Sequence, residues 1–193
     1  MDTEMQLTLR MVSPMSDEEF FQFCQINDTL EFERDSHGNI ILMSPTGTLT
    51  GSFHPHILAA IYNWNVVSGL GEVFDSSTGF TLPNGAVRSP DASWIRAERW
   101  NSVPEDRKDK FAPICPDFVV EVRSKSDELN YLPEKMKEYI GNGAQLGWLI
   151  DRFDKKVYVF RADAPVEVLP TNVILSGENV LPGFSLNLGK FVK

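Results

Sequence analysis

The sequence predicts an α/β fold, of the α+β kind, in which a mixed β-sheet is covered on its faces by helices. Three observations carry this. The stretch "FVVEV", Phe118 to Val122, has the β-branched and aromatic character of a buried strand. It is followed by the helical segment "SDELNYLPEKMKEYIGNGA" and then by the apolar strand "LGWLID", and strand, helix, strand in that order is the mark of a sheet flanked by helices. The 193 residues, 42% hydrophobic and 11% aromatic, fit one domain over 1–193 with a real core.

Each element follows from local signals. Ser16 is an N-cap and Glu19 its capping-box partner, with Phe20, Phe23 and Cys24 at helical spacing, so a short helix opens the chain. "LEFERDSHGNIILMSP" alternates Leu30 and Phe32 against Glu31 and Glu33, turns through "DSHGN", and returns through Ile40 to Met43. This predicts an N-terminal β-hairpin with Glu33 on its polar face. "SFHPHILAAIYNWNVVSGLG" gives an amphipathic helix ending at Gly69 or Gly71. "EVFDSSTGFTLPNG" and "VRSPDASWIRA" read as short strands between Gly and Pro turns, and "NSVPEDRKDKF" as a charged, exposed connection. Pro133 belongs near the first turn of the helix after "FVVEV", which Gly141 or Gly143 closes. "LGWLID" and "KVYVFRAD" form a second hairpin through Asp151 to Lys155, and "NVLPGFSLNLGKFVK" is an edge-like tail.

Composition excludes several classes. The longest apolar runs, Ile114 to Val122 and Leu146 to Ile150, are far below the roughly 20 residues that span a bilayer. The opening "MDTEMQLTLR" has no apolar core of a secretory signal, which points to a cytoplasmic protein. Cys24 and Cys115 are too few for a disulfide framework or a zinc knuckle. A net charge of −9 argues against non-specific coating of nucleic acid, which depends on Lys and Arg neutralising phosphates. It leaves a nuclease open, because a carboxylate site adds negative charge and a divalent metal bridges to phosphate.

Two acids stand out. Asp91 follows Pro90 just before the strand-like "ASWI", where it reads either as a turn-capping Asp or as a carboxylate projected from a strand start. Glu121 interrupts a buried strand between two valines and must find a partner, a metal or a proton. One reading pairs it with Arg123, two residues on and on the same face. In the other, Asp91 and Glu121 lie on neighbouring strands and hold Mg²⁺ or Mn²⁺, hard cations that take oxygen ligands and keep waters for a phosphate.

"MSPTG", "DSSTGFTLPNGAVRSPDASW", "PDFVVEVRSKSD", "EKMKEY" and "GWLID", in this order, resemble the Uma family of the restriction-endonuclease-like, or PD-(D/E)-x-K, nuclease superfamily, over nearly the whole chain. The resemblance implies a restriction-endonuclease-like α-β-β-β-α-β core in which Asp91 and Glu121 bind a divalent metal. The superfamily pattern has a Lys two residues after the acid. Here that place holds Arg123, and the matching lysine is Lys135 on the following helix, where it shares a face with Glu138 and not with Lys137. Glu33 matches an acid on an early element that completes or tunes the metal site. The implied activity is Mg²⁺- or Mn²⁺-dependent cleavage of nucleic acid, DNA first, in which the metal lowers the pKa of a water and Lys135 positions it or stabilises developing charge. A homodimer follows only by analogy, since cutting both strands takes two sites.

His54 and His56, two apart at a helix start, read as solvated loop histidines, a phosphate contact being the alternative, and His37 sits in a hairpin turn. Trp64, Trp94, Trp100 and Trp148 are scattered as packing residues are, and no G-x-S-x-G accompanies Ser44, Ser76 or Ser77. Three readings remain: a metal-dependent endonuclease, a catalytically silent nuclease fold serving as a binding or interaction protein, and an unrelated protein in which Glu121 pairs with Arg123.

Overall fold

The structure, a computed structural model, describes residues 7–125 and 131–191. The acidic opening "MDTEMQ", the "SDELN" start expected for the helix after "FVVEV", and the last two residues of the tail lie outside the described residues. In chain order the elements begin with β1 (Leu7–Leu9), α1 (Asp17–Ile26), β2 (Glu31–Arg34), β3 (Ile40–Met43), α2 (Thr48–Gly51) and α3 (His54–Ser68). Next come β4 (Gly71–Asp75), β5 (Phe80–Thr81), β6 (Val87–Arg88), β7 (Ala92–Arg96), α4 (Ala97–Asn101) and α5 (Glu105–Lys108). Then follow β8 (Phe118–Val122), α6 (Tyr131–Gly141), β9 (Leu146–Asp151), β10 (Lys156–Arg161), β11 (Ala164–Pro170), β12 (Ile174–Ser176) and β13 (Ser185–Asn187).

The centre is a six-stranded mixed sheet in the order β11-β10-β9-β8-β7-β4. Its one parallel pair is β8 with β9, which places Glu121 opposite Leu149 and Val122 opposite Ile150. A parallel pair needs a crossover, and α6 is that crossover. Along this path α3, β4, β7, β8, α6 and β9 run in the α-β-β-β-α-β order that the family resemblance implies. A five-stranded sheet in the order β1-β3-β2-β6-β5 and the small β12–β13 pair complete the layers.

Strand alternation sorts the core. Phe118, Val120 and Val122 face one side with Trp94, Trp148 and Ile150, under Ile57 and Ile61 of α3 and Leu175 and Phe184 of the C-terminal hairpin. Val119 faces the other side with Ile95 and Leu149, under Leu132, Met136 and Tyr139 of α6. By the same alternation Glu121 falls on the α6 side. That helix comes close: a Cβ on Gly147 would stand 2.4 Å from Met136 Cε, so β9 carries a glycine where α6 crosses it.

The local signals hold. Ser16 and Glu19 make the capping box of α1, and Phe20 is fully buried. Gly69 ends α3 at φ 64°, left-handed, as a C-cap glycine does. The hairpin β2–β3 pairs Glu31 with Met43 and Glu33 with Ile41. Three expectations are corrected. "NSVPEDRKDKF" is not a bare connection but contains part of α4 and all of α5. Strands β1 and β11 were not foreseen, because one is three residues long and the other is exposed at nearly every position, which leaves no buried alternation to read. Glu33 is not on a polar face: it is 0% exposed, since the hairpin packs its second side against the rest of the protein.

Trp148 is fully buried, edge-on to Phe118 at 4.8 Å and stacked on Phe184 at 6.0 Å. Trp148→Ala should therefore lower stability by about 3–5 kcal/mol, the usual loss for a buried Trp. Urea unfolding should show a lower midpoint with an unchanged slope.

Candidate functional site

Pro90 sets Asp91 at the entrance to β7, whose ladder pairs Ala92 with Val120 of β8. The carboxylate reaches across the strands, and Asp91 Oδ2 accepts the Val122 N–H at 2.6 Å. The beginning of β7 is thus stitched to the end of β8, with Asp91 beside Glu121. On the α6 side, Lys135 and Tyr139 are one helical turn apart and both meet Glu121. Lys135 Nζ lies 2.8 Å from Glu121 Oε1, and the Tyr139 hydroxyl donates to the same oxygen at 3.1 Å.

Lys135 has a second acid. Its Nζ is also 2.8 Å from Glu33 Oε1, so one ammonium bridges β2 and β8. Glu33 Oε1 accepts the Ser89 N–H at 2.9 Å, and Glu33 Oε2 pairs with Arg88 Nη1 at 3.0 Å. Arg88 in turn donates from Nε to Glu138 at 2.6 Å and from Nη1 to the Tyr131 hydroxyl at 3.1 Å. Lys135 and Glu138 do share the inward face of α6, while Lys137 is exposed and pairs with Glu134. Asp91, Glu121, Lys135 and His54 line one cavity of about 490 Å³, walled further by Ser44, Thr46 and Ser124. Glu33 stands behind it.

The two acids on Lys135 are electrostatically unlike. Burial pushes both upward, but Lys135 and Arg88 overcome it at Glu33 and hold that carboxyl below its usual range. At Glu121 burial prevails, reinforced by the charges of Asp91 and Glu33 against the pull of Lys135, and its carboxyl is raised to about 8. Lys135 itself is held protonated, because Glu121 and Glu33 outweigh its burial. In the network of Glu33, Asp91, Glu121, Glu138, Arg88 and Lys135, acids outnumber bases by two.

The Glu121–Arg123 pair expected in one reading does not form. Arg123 Nη1 pairs instead with Asp151 Oδ2 at 2.7 Å, at the end of the neighbouring strand. Lys125 is exposed in a turn. His54 is not a solvated loop residue. It is the first residue of α3, burial lowers its pKa, and its Nε2 points toward Asp91 Oδ2 at 3.6 Å without a hydrogen bond. His56 turns away and stacks on Phe191. Tyr139 and Arg88 were missed. The i, i+4 relation of Tyr139 to Lys135 was a usable signal, whereas nothing local marks Arg88 or His54, which the tertiary fold brings in.

The sequence model of the Uma2 family, described as "Putative restriction endonuclease", matches residues 17–189. The chain belongs to the Uma2 family. Among solved structures it is similar to one from Anabaena variabilis ATCC 29413, described as a putative nuclease belonging to DUF820. The TM-score is 0.72 and the identity 19%, covering 93% of this chain and all of that one, which establishes a shared fold. None of the curated proteins compared with it matches the chain.

In this Uma2 chain the donors suited to a hard divalent cation are Asp91 and Glu121. Both are carboxyl groups lining the cavity, and Glu121 is the acid whose protonated form burial and the neighbouring Asp91 and Glu33 favour. No group of three or more His, Cys, Asp or Glu arranged for a metal occurs among the described residues. Two carboxylates with water and phosphate filling the rest is the usual manner of holding Mg²⁺. Glu33 has both oxygens engaged by Lys135, Arg88 and Ser89, which makes it a support for Lys135.

Lys135→Met would leave two buried acids sharing one lost cation, a change worth about 3–5 kcal/mol. A carboxyl so stranded has its folded-state pKa raised above the unfolded value. The folded protein then holds more protons than the unfolded chain, and stability falls as pH rises through that interval. The loss should be smaller at pH 5 than at pH 8 in urea unfolding, and adding Glu33→Gln should recover part of it. An equal loss at both pH values would show that Lys135 acts through packing alone.

Proposed function

We propose that the chain is a metal-dependent DNA endonuclease that hydrolyses phosphodiester bonds, with Asp91 and Glu121 holding Mg²⁺ or Mn²⁺ and Lys135 assisting. The observation that carries this reading is the placement of Glu121 between Asp91 and the buried Lys135 ammonium at the floor of a cavity. The family match and the shared fold with a protein described as a nuclease support it.

The protein's own groups have separable tasks. Asp91 is held by the Val122 N–H, which fixes its carboxylate relative to the strand that bears Glu121. Glu33, Arg88 and the Ser89 N–H fix Lys135 from behind, so that its Nζ cannot swing away from Glu121. The ammonium lies 2.8 Å from each of the two acids and also lines the cavity. There it would face a water or a phosphate oxygen, where a fixed cation stabilises charge that develops during attack. A divalent ion bound there would supply a water of lowered pKa and neutralise a phosphate oxygen. Two such sites in a symmetric homodimer would cut both strands of a duplex.

The test is cleavage of supercoiled plasmid with Mn²⁺ and then Mg²⁺, with an EDTA control. Asp91→Asn and Glu121→Gln should each abolish nicking, and Lys135→Ala should slow it on the order of 10²-fold, as for other fixed charge-stabilising donors. Absence of nicking by the wild-type protein, with Mn²⁺ binding retained in calorimetry, would select the catalytically silent reading that Arg123 in the usual lysine place favours.

A further inference from the structure

Arg152 directly follows β9 and stands beside the end of β8, where Glu121 and Val122 pair with Leu149 and Ile150. Its guanidinium lies over the Phe53 ring at 4.6 Å and the Phe153 ring at 5.4 Å, and Nη2 donates to Thr50 Oγ1 at 2.6 Å. Two rings and a hydroxyl therefore fix the plane of this group. No carboxylate neutralises it among the described residues, and its Nε is buried without a hydrogen-bond partner.

Three other basic groups near this end of the sheet are committed to acids, while Lys125 is exposed in a turn. Arg123 is held by Asp151, Lys135 by Glu33 and Glu121, and Arg88 by Glu33 and Glu138. Arg152 is an exception in its chemistry as well, since desolvation lowers its pKa with no acid to offset it. Its charge reaches the cavity: Arg152 contributes to the lowering at His54, which lines the cavity next to Asp91. Thr50, the residue it grips, lies four positions before His54 on the short helix α2. A desolvated, oriented and unneutralised guanidinium lacks one partner, and an oxyanion with two oxygens to offer is the partner whose geometry it matches.

We infer that Arg152 is a backbone-phosphate clamp: it binds a phosphate of the DNA strand next to the one in the Asp91–Glu121 cavity, and so sets where the strand enters. This rests on the nuclease reading. The cavity is rich in acid and repels a phosphate backbone, and Arg152, whose charge is felt at His54 in the cavity wall, offsets that repulsion on the side of α2. Phe53 and Phe153 serve here to orient the guanidinium, and Thr50 tethers it.

The experiment measures binding of a fluorescent DNA duplex by anisotropy between 50 and 200 mM salt, using the full chain with Glu121→Gln so that nothing is cut. One phosphate contact contributes close to one unit to the slope of log K against log salt. Arg152→Gln should weaken binding about three- to tenfold and flatten that slope by about one. Arg152→Lys should keep the slope, because the charge remains, while weakening binding through loss of the fork. Thr50→Ala should keep the slope as well. An unchanged slope in Arg152→Gln, alongside normal DNA binding and cleavage in the parent proteins, would overturn the clamp and leave the nuclease reading standing. Failure of the wild-type protein to bind or cut DNA at all would overturn both.

Discussion

One ammonium group, Lys135 Nζ, holds this structure's functional side together. It lies 2.8 Å from an acid on β2 and 2.8 Å from an acid on β8, and it arrives from α6. Three layers with no strand pairing in common meet at a single point. Burying that charge is tolerable because both acids come to it, and Glu33 is held by Arg88 as well. Such a cluster adds little net stability compared with an apolar core of the same volume. Its effect is on register, because α6 can take only the position along the sheet that puts residue 135 over residue 121.

The cluster is deliberately unequal. Glu33 receives Lys135, Arg88 and the Ser89 N–H, and its carboxyl is held low. Glu121 receives Lys135 and Tyr139 but also faces Asp91, and its carboxyl is raised to about 8. Two carboxylates on one lysine thus do different things. The saturated one supports the lysine, and the undersupplied one is the acid proposed to take a further cation. The difference comes from the neighbours, since the side chains are the same.

Much of this was legible in the sequence, for reasons that can be named. Glu121 announces itself because period-two alternation makes a lone acid in "FVVEV" conspicuous, whereas Lys135 was placed by the likeness of "EKMKEY" to the family's helix. Only the first depends on local periodicity. Glu33 was assigned to solvent because its hairpin alternates as a half-exposed strand does, and only the packing of α6 and the Arg88 turn over that hairpin reverses the assignment. His54, placed at a helix start, was read as solvated because it stands two residues from His56 and shares no helix face with it. The start of α3 is brought over β7 by contacts distant in sequence, which no window of ten residues contains. Strand β11 escaped notice because its seven residues are held by backbone pairing to β10 and not by a buried face.

The exchange of Lys for Arg at position 123 follows from the same geometry. Residues 121 and 123 face the same side of the strand, but two residues along a strand are about 6.6 Å, enough to carry a side chain past the end of the sheet. There the nearest acid is Asp151, at the end of β9, and Arg123 takes it at 2.7 Å. A helix crossing above the strand has no such displacement, and Lys135 descends directly on Glu121. Once the helix supplies the cation, the strand position is released from the site. A guanidinium there serves the sheet edge, and by engaging Asp151 it leaves the next residue, Arg152, without that acid as a partner. The pairing of Arg123 with Asp151 and the unneutralised cation at Arg152 thus go together with a helix that supplies the ammonium to Glu121.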